Sequence, residues 1–367
     1  MRTGGDVSGT PHGELLVVGA TGRIGRPVVA GLAGRGFHAV PVGRRRESLE
    51  PLRAGVCHGP GEVVVADGAV AVAAAVRQRR PAVVVNLLGD YARTAGTLID
   101  AVISVGGCYV DLAADLDGAT QLIGRHADAV AAGSTLVTGA GFGVLATEAV
   151  VAKLCADRPA PAHVRVDALA SVGGEAGRLG GAYASSIVDA ITLGGRRYDG
   201  GRLVRSALGA DPRTVLLPDG ETVRSAGAAT AELIAAQRAS GAPSVSVTSA
   251  LAPTAPLVRA ALPPARALLS IGAVRRAAVR RLAGTRVRAA PRPRRHSWGH
   301  AVVTWPGGTS REGWLRADDG MDYTAAAVTD VATRLARGVG RPGAHTPAAV
   351  FGPDLAVSAG ATFLIDH

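Results

Sequence analysis

Leu15-Leu16-Val17-Val18-Gly19-Ala20-Thr21-Gly22-Arg23-Ile24-Gly25 reads as a buried strand that runs into a GxxGxxG turn and opens a helix. Four consecutive apolar residues without alternation mean a strand covered on both faces, as in a parallel sheet flanked by helices. In such a turn Gly19 permits the tight exit from the strand. Gly22 lets backbone approach a pyrophosphate, and Gly25 allows close packing of helix on strand. The amides of Thr21, Gly22, Arg23, Ile24 and Gly25, with the helix dipole, then face the negative charge. Glycine is common in this chain, so a plain turn competes with this reading. Position favours the nucleotide: the triplet follows the first strand, precedes a helix, and a second strand arrives on schedule.

Working outward, β-branched runs alternate with alanine-rich stretches of helical length. Strands are predicted at Glu14 to Gly19, Phe37 to Gly43, Glu62 to Ala66, Ala82 to Leu88, Cys108 to Leu112 and Thr135 to Thr138. This βαβ rhythm predicts an α/β fold, a Rossmann-type doubly wound parallel sheet, over residues 13–142. Residues 1–12 read as a disordered tail. From about Gly143 the rhythm loosens, and 143–345 reads as an α+β substrate and dimerisation domain, with 346–367 free to pack back on the first. Within it the strands His163 to Ser171, Ser244 to Thr248, His300 to Thr304 and Ser310 to Leu315 are expected, with helices Tyr183 to Leu193 and Tyr323 to Arg337.

The second strand ends in Val42-Gly43-Arg44-Arg45-Arg46, where an NAD site offers an acidic residue for the ribose hydroxyl. Arg44 and Arg45 suit a 2′-phosphate by charge and bidentate geometry, which favours NADP(H) as cofactor. Asp67, at the end of the third strand, could meet the adenine amino group or cap the next helix. Ligands in open α/β sheets sit beyond the carboxyl ends of the strands. Leu88, Gly89 and Asp90, then Asp111 to Asp115, then Gly139 to Gly143, are therefore expected to flank a nicotinamide. Hydride transfer also needs a hydrogen-bond or proton donor, and Tyr91, Tyr109, Asp111 and Tyr183 are the candidate catalytic residues, each competing with a structural role.

The net charge is +11, and Lys153 is the only lysine. Eleven arginines lie between Arg259 and Arg295 with no acidic residue among them, and the remainder of the chain is formally neutral. A nucleic-acid wrapper, coated all over in charge, is excluded. The basic segment 256–295 reads as one or two amphipathic helices interrupted by Pro263-Pro264 and Gly272. It could be a solvated face, a surface that docks an acidic carrier protein or an anionic membrane, or part of an anionic-substrate site. Cys57, Cys108 and Cys155 form neither a CxxC pair nor an even framework, no metal site is indicated, and a reducing cytoplasm is expected. No signal peptide and no run of about 18 apolar residues is present. The Tyr-x-x-x-Lys pair of short-chain dehydrogenases is excluded, since Lys153 is the only lysine and Ala149 stands four before it, and no GxSxG elbow occurs.

The glycine turn, together with Asn86-Leu87-Leu88-Gly89-Asp90-Tyr91, Tyr109-Val110-Asp111 and Gly139-Ala140-Gly141-Phe142, resembles the successive motifs of saccharopine dehydrogenase-like oxidoreductases, including the trans-acting enoyl reductases. Gly180-Gly181-Ala182, Tyr323-Thr324-Ala325 and Thr346-Pro347-Ala348 extend the similarity over nearly the whole chain. The resemblance implies a cytoplasmic, homodimeric NADPH-dependent reductase acting on a C=C or C=N bond of a biosynthetic, secondary-metabolite or lipid intermediate, free or carrier-bound. A carbonyl reductase and a non-catalytic NADP(H) sensor are the alternatives. The chain departs from the family pattern at Asp90 for proline, Ala114-Asp115 for Gly-Glu, Gly143 for aspartate and Ala146 near the expected proline, and these departures keep the sensor in view.

Overall fold

In the computed structural model, residues 13–56, 62–174 and 176–365 are described, without the side chains of Val56, Ala182 and Tyr183. The expected tail 1–12 and Cys57 lie outside the described residues. The chain begins with β1 (Leu15–Val18), α1 (Gly25–Gly34), β2 (Ala39–Gly43), α2 (Arg46–Val56), β3 (Val64–Val65), α3 (Gly68–Arg79), β4 (Val83–Asn86), α4 (Tyr91–Val105), β5 (Cys108–Asp111), α5 (Leu116–Ile123), α6 (His126–Ala131), β6 (Thr135–Val137) and α7 (Phe142–Cys155). There follow β7 (His163–Leu169), β8 (Gly177–Arg178), α8 (Gly181–Leu193), β9 (Gly195–Asp199), β10 (Arg202–Ser206), β11 (Arg213–Leu216), β12 (Thr222–Gly227), α9 (Glu232–Ser240) and β13 (Ser244–Ser249). The last part holds α10 (Pro256–Leu269), α11 (Gly272–Ala283), β14 (Arg286–Val287), β15 (Ser297–Thr304), β16 (Ser310–Ala317), α12 (Gly320–Ala336), β17 (Gly343–His345), α13 (Pro347–Phe351), α14 (Leu355–Ser358) and β18 (Thr362–Ile365).

Seven parallel strands make the first sheet, in the order β17-β6-β5-β4-β1-β2-β3. The order reverses between β1 and β4, which is the switch point where doubly wound sheets take ligands. The unbroken apolar run of β1 is explained by its two covers. Leu15 and Val17 join one core cluster with Val28, Leu32 and Val328, while Leu16 and Val18 join another with Val76, Leu98 and Val102. The second sheet runs β10-β9-β13-β7-β15-β16-β18, with β7 and β13 parallel and the other neighbours antiparallel.

Three features depart from the expected layout. The strand that rejoins the first sheet is β17, ahead of residue 346, whereas β18 pairs with β16 in the second sheet. Helix α12, expected in the substrate domain, packs on α1, β4 and β5 and so covers one face of the first sheet. Its inward side, Tyr323, Ala327, Val328, Val331 and Leu335, is the apolar partner that this face lacks locally. Helix α10 continues through Pro263 and Pro264, which were expected to break it, and the chain turns only at Ser270-Ile271 before α11.

The two sheets share a core. Helix α7 is apolar all round, and Leu145, Ala149, Val150 and Leu154 belong to the same cluster as Leu15 of the first sheet and Val164, Val166 and Ala301 of the second. The one acid on α7, Glu148, is buried and accepts hydrogen bonds from Thr346 Oγ1 (2.5 Å) and the amides of Ala348 and Ala349 (3.0 Å each), so it caps α13. Burial pushes its carboxyl up to about 7. A carboxyl raised in the folded state favours folding most at low pH, and that share is lost as pH rises from its unfolded value, near 4.5, through about 7. Glu148→Gln should therefore flatten the stability profile between pH 5 and pH 8 by up to about 3 kcal/mol, read as the difference between wild-type and variant denaturant melts.

Candidate functional site

The turn after β1 shows backbone built around missing side chains. Gly19 has φ +81°, and a Cβ there would stand 2.9 Å from the Leu87 carbonyl oxygen. A Cβ on Gly25 would overlap the Gly19 carbonyl oxygen and lie 2.6 Å from the Ala20 carbonyl group. The α1 N-terminus has no side-chain cap and no acidic residue in its first turn; the Gly22 amide donates to the Gly19 carbonyl and the Arg26 amide to the Gly22 carbonyl, so the amides of Ile24 and Gly25 are the ones that can face an anion. Thr21, Gly22 and Ile24 line this turn, half-buried or exposed. Arg23 reaches across to the second domain, and its Nη1 donates to the Gly173 carbonyl at 2.8 Å. That side chain acts as a clasp between the domains rather than as a free phosphate ligand.

At the end of β2, Arg44 and Arg45 are exposed and have no side-chain partner among the described residues, whereas Arg46 pairs with Glu50 at 3.1 Å. Asp67 takes the N-cap position of α3 but makes no capping hydrogen bond, which leaves its exposed carboxylate free for an adenine amino group. On the other side of the switch point, Leu88 and Gly89 are half-buried, and Gly89 has φ +72°. Asp90 follows in the left-handed region at φ +52°. Asp tolerates that conformation, whereas proline is locked near −65°, so the backbone itself accounts for the departure from the family proline.

Beneath these loops lies a buried polar network. The Asp111 carboxylate accepts from Tyr109 Oη (3.1 Å), Thr138 Oγ1 (2.8 Å) and the amides of Ala113 (3.0 Å) and Gly139 (3.2 Å). Asn86 Nδ2 donates to Tyr109 Oη at 2.8 Å, and Asn86 Oδ1 accepts from the Leu88 amide. Tyr91 Oη donates to the Asn86 carbonyl at 3.3 Å. Tyr109 and Asp111 are 0% exposed. Burial raises the Asp111 carboxyl to about 6 against the pull of its hydrogen bonds, and it pushes the Tyr91 and Tyr109 phenols up as well. Tyr91, Tyr109 and Asp111, the candidate donors, spend their polar atoms on one another and on the ends of β4, β5 and β6, which is the structural role that competed with the catalytic one in sequence. Tyr183 stands on α8, and its side chain lies outside the described residues.

A cavity of about 310 Å³ caps the end of β4, lined by Asp90, Arg93, Ser185, Arg275, Arg276 and Arg280, with Gly181 and Val279. The wall is cross-braced. Arg93 Nη2 meets Asp90 Oδ2 at 2.5 Å and donates to Ser185 Oγ at 2.6 Å, while Arg275 Nη2 holds Asp189 Oδ1 at 2.5 Å. Arg276 and Arg280 have no acidic partner among the described residues. Helix α11, packed on α8, brings these arginines to the cavity.

A further carboxyl escaped the sequence. Glu232 is 5% exposed, its Oε2 has no hydrogen-bond partner among the described residues, and burial raises it above the ordinary carboxyl range. A Cβ on Gly143 would collide with Glu232 Oε1, so this carboxyl occupies the space that a side chain at 143 would claim. The Ala231 amide donates to the Ala114 carbonyl, and Asp115, which caps α5 through the Gly118 amide, bridges Thr230. Glu232 thus faces the loops after β5 and β6. In sequence it looks like an ordinary acid in the first turn of a helix.

A doubly wound parallel sheet with an open glycine turn, closed by an α+β domain that roofs its strand ends, defines a two-domain dinucleotide-binding architecture. This chain has the saccharopine dehydrogenase-like fold: it superposes on the apo saccharopine dehydrogenase (L-Glu forming) of Saccharomyces cerevisiae with a TM-score of 0.60 over 97% of this chain and 100% of that one, at 12% identity. A short-chain dehydrogenase from Streptomyces avermitilis covers 34% of this chain and 64% of its own at 18% identity, with a TM-score of 0.30. No protein-family model and no curated protein matches the sequence. Gly25→Ala should cost about 1–3 kcal/mol, because its methyl group meets backbone rather than a movable side chain, and should abolish dinucleotide binding; thermal melts and fluorescence titration with NADPH check both.

Proposed function

We propose that this protein is an NADP(H)-dependent reductase whose substrate carries a carboxylate or phosphate beside a polarised C=C or C=N bond. One observation carries the reading: the open glycine turn ends β1, the arginine-lined cavity caps β4, and these two strands are neighbours at the switch point. A nicotinamide dinucleotide bound in that turn supplies the hydride. The α1 amides receive the pyrophosphate, Arg44 and Arg45 the 2′-phosphate, and Asp67 the adenine amino group. Arg276 and Arg280 orient the substrate by its anionic group, while the braced pair Arg93 and Arg275 keeps the wall in place. Glu232, whose carboxyl burial raises and whose Oε2 has no partner among the described residues, is the group assigned to pass a proton to the atom that gains negative charge. The absence of a Tyr-x-x-x-Lys pair favours C=C or C=N over the carbonyl chemistry of short-chain reductases, and Lys153 is held by Asp354 at 2.7 Å.

Fluorescence titration should show NADPH binding more tightly than NADH, and Arg44→Ala with Arg45→Ala should weaken NADPH at least about tenfold while changing NADH little. Equal weakening of both would remove the 2′-phosphate assignment. With α,β-unsaturated carboxylates and cyclic imine carboxylates as probes of NADPH oxidation, Arg276→Ala with Arg280→Ala should raise KM about tenfold or more at little change in kcat. Glu232→Gln should lower kcat about a hundredfold, leave NADPH affinity intact and erase the fall of activity at high pH; an unchanged pH profile would rule out Glu232 as the acid. A sensor would bind NADPH and never oxidise it with any probe.

A further inference from the structure

Helix α10 is built inside out. On a helical wheel Leu257, Ala261, Pro264 and Leu268 follow one stripe at spacings of four, three and four residues, and all four are exposed, Leu257 at 87% and Leu268 at 58%. Val258, Ala260, Pro263 and Ala267 widen that stripe and are exposed too. Both arginines of the helix lie on the opposite side. Arg266 Nη1 comes within 3.1 Å of where a Cβ on Gly194 would stand, at the C-terminal end of α8, and the Arg259 side chain packs beside Gly209. A soluble helix lying on its own domain turns its apolar stripe inward and its arginines outward. Here neither α10 nor α11 buries a single residue fully.

The patch extends past the helix. Leu251, Ile271 and Val274 are also exposed, so six of the fourteen large apolar side chains left in solvent among the described residues fall within residues 251–274. Its surroundings are basic: Arg276, Arg280 and Arg281 follow on α11 with exposed side chains, and no acid occurs from 256 to 295. No single helix among the described residues is long and apolar enough to cross a bilayer, and the 117° bend between α10 and α11 keeps the pair from acting as one rod.

We propose that α10 and the start of α11 form a docking surface for an anionic lipid bilayer, with the outward stripe of α10 in the interface and Arg281, which lies outside the cavity wall, at the headgroups. This inference is independent of the reductase reading. Three physical points select lipid. The charge is complementary to an anionic leaflet, whereas a second copy of this chain would set arginine against arginine. The stripe offers no aromatic anchor and no side-chain hydrogen-bond donor, which protein interfaces use and fluid hydrocarbon does not require. Pro263 and Pro264 cannot donate to the carbonyls of Arg259 and Ala260, which suits the wet interface rather than the hydrocarbon core.

Flotation of the full-length protein with vesicles tests this. Wild type should float with phosphatidylcholine vesicles containing about one third phosphatidylglycerol, should not float with phosphatidylcholine alone, and should be released by high salt. Leu257→Glu with Leu268→Glu should cut binding about tenfold or more while leaving the melting temperature and NADPH affinity unchanged, since both side chains are exposed. Arg281→Gln should cut it about fivefold. The proposal is overturned if wild type fails to float with anionic vesicles, or if the leucine variant binds as well as wild type. Light scattering that shows a dimer split by Leu257→Glu would assign the face to a second copy, and binding of a purified acidic acyl carrier protein without any vesicle binding would assign it to protein; either result also overturns it.

Discussion

One buried carboxylate sets the shape of the cleft floor. Asp111 ends β5 and gathers four hydrogen bonds, from a neighbouring tyrosine, a threonine at the end of β6 and two loop amides. Through Tyr109 the same group reaches Asn86, which in turn holds the Leu88 amide after β4. Three strand ends are therefore tied to one another by side chains in addition to the ladder, which still pairs Asn86 with Asp111. An unpaired polar atom in this place would lose the full worth of its hydration, so every member of the network needs the others. The loops above it, Gly89-Asp90 and Gly139 to Gly143, inherit their positions from this network.

The second constraint is the shared core. Because α7 is apolar on every side, it cannot belong to one sheet alone, and its burial joins the dinucleotide domain to the substrate domain. Helix α12 adds to this from far along the chain, covering the first sheet and donating from Thr324 Oγ1 back to its own helix while accepting the Phe142 amide at the start of α7. With the two domains locked on one core and Arg23 clasping Gly173, the arginines of α11 are held over the end of β4. The positive charge that composition alone assigns to a solvated segment is thus divided by the fold: part lines a cavity, part supports α10 from beneath, and part faces outward.

The parallel sheet was legible because its signals are local. A strand covered on both faces shows as an unbroken apolar run, and a tight strand-to-helix turn as glycines at fixed spacing. Asp67, Leu88 and Gly89 sit where strand order says they should. For Tyr91, Tyr109 and Asp111 the sequence left two roles open for an equally physical reason: a strand-end acid and phenol look alike in sequence whether they face a ligand or each other, and it takes the assembled fold to show that they bond to each other. Glu232 was invisible because its meaning depends on the space left by Gly143, 89 residues earlier.

The sequence by itself determined the doubly wound sheet, the tight glycine turn after its first strand, the localisation of excess charge and the absence of a Tyr-x-x-x-Lys pair and a GxSxG elbow. Each of these rests on residue type and on spacings shorter than one βαβ unit. Tertiary structure alone decided which polar groups are sealed and which are open, that α12 roofs the first sheet, that α11 walls the cavity, and that α10 presents its apolar side to the outside. Those outcomes depend on which surfaces meet across hundreds of residues, and burial is a property of the assembled chain rather than of any stretch of it.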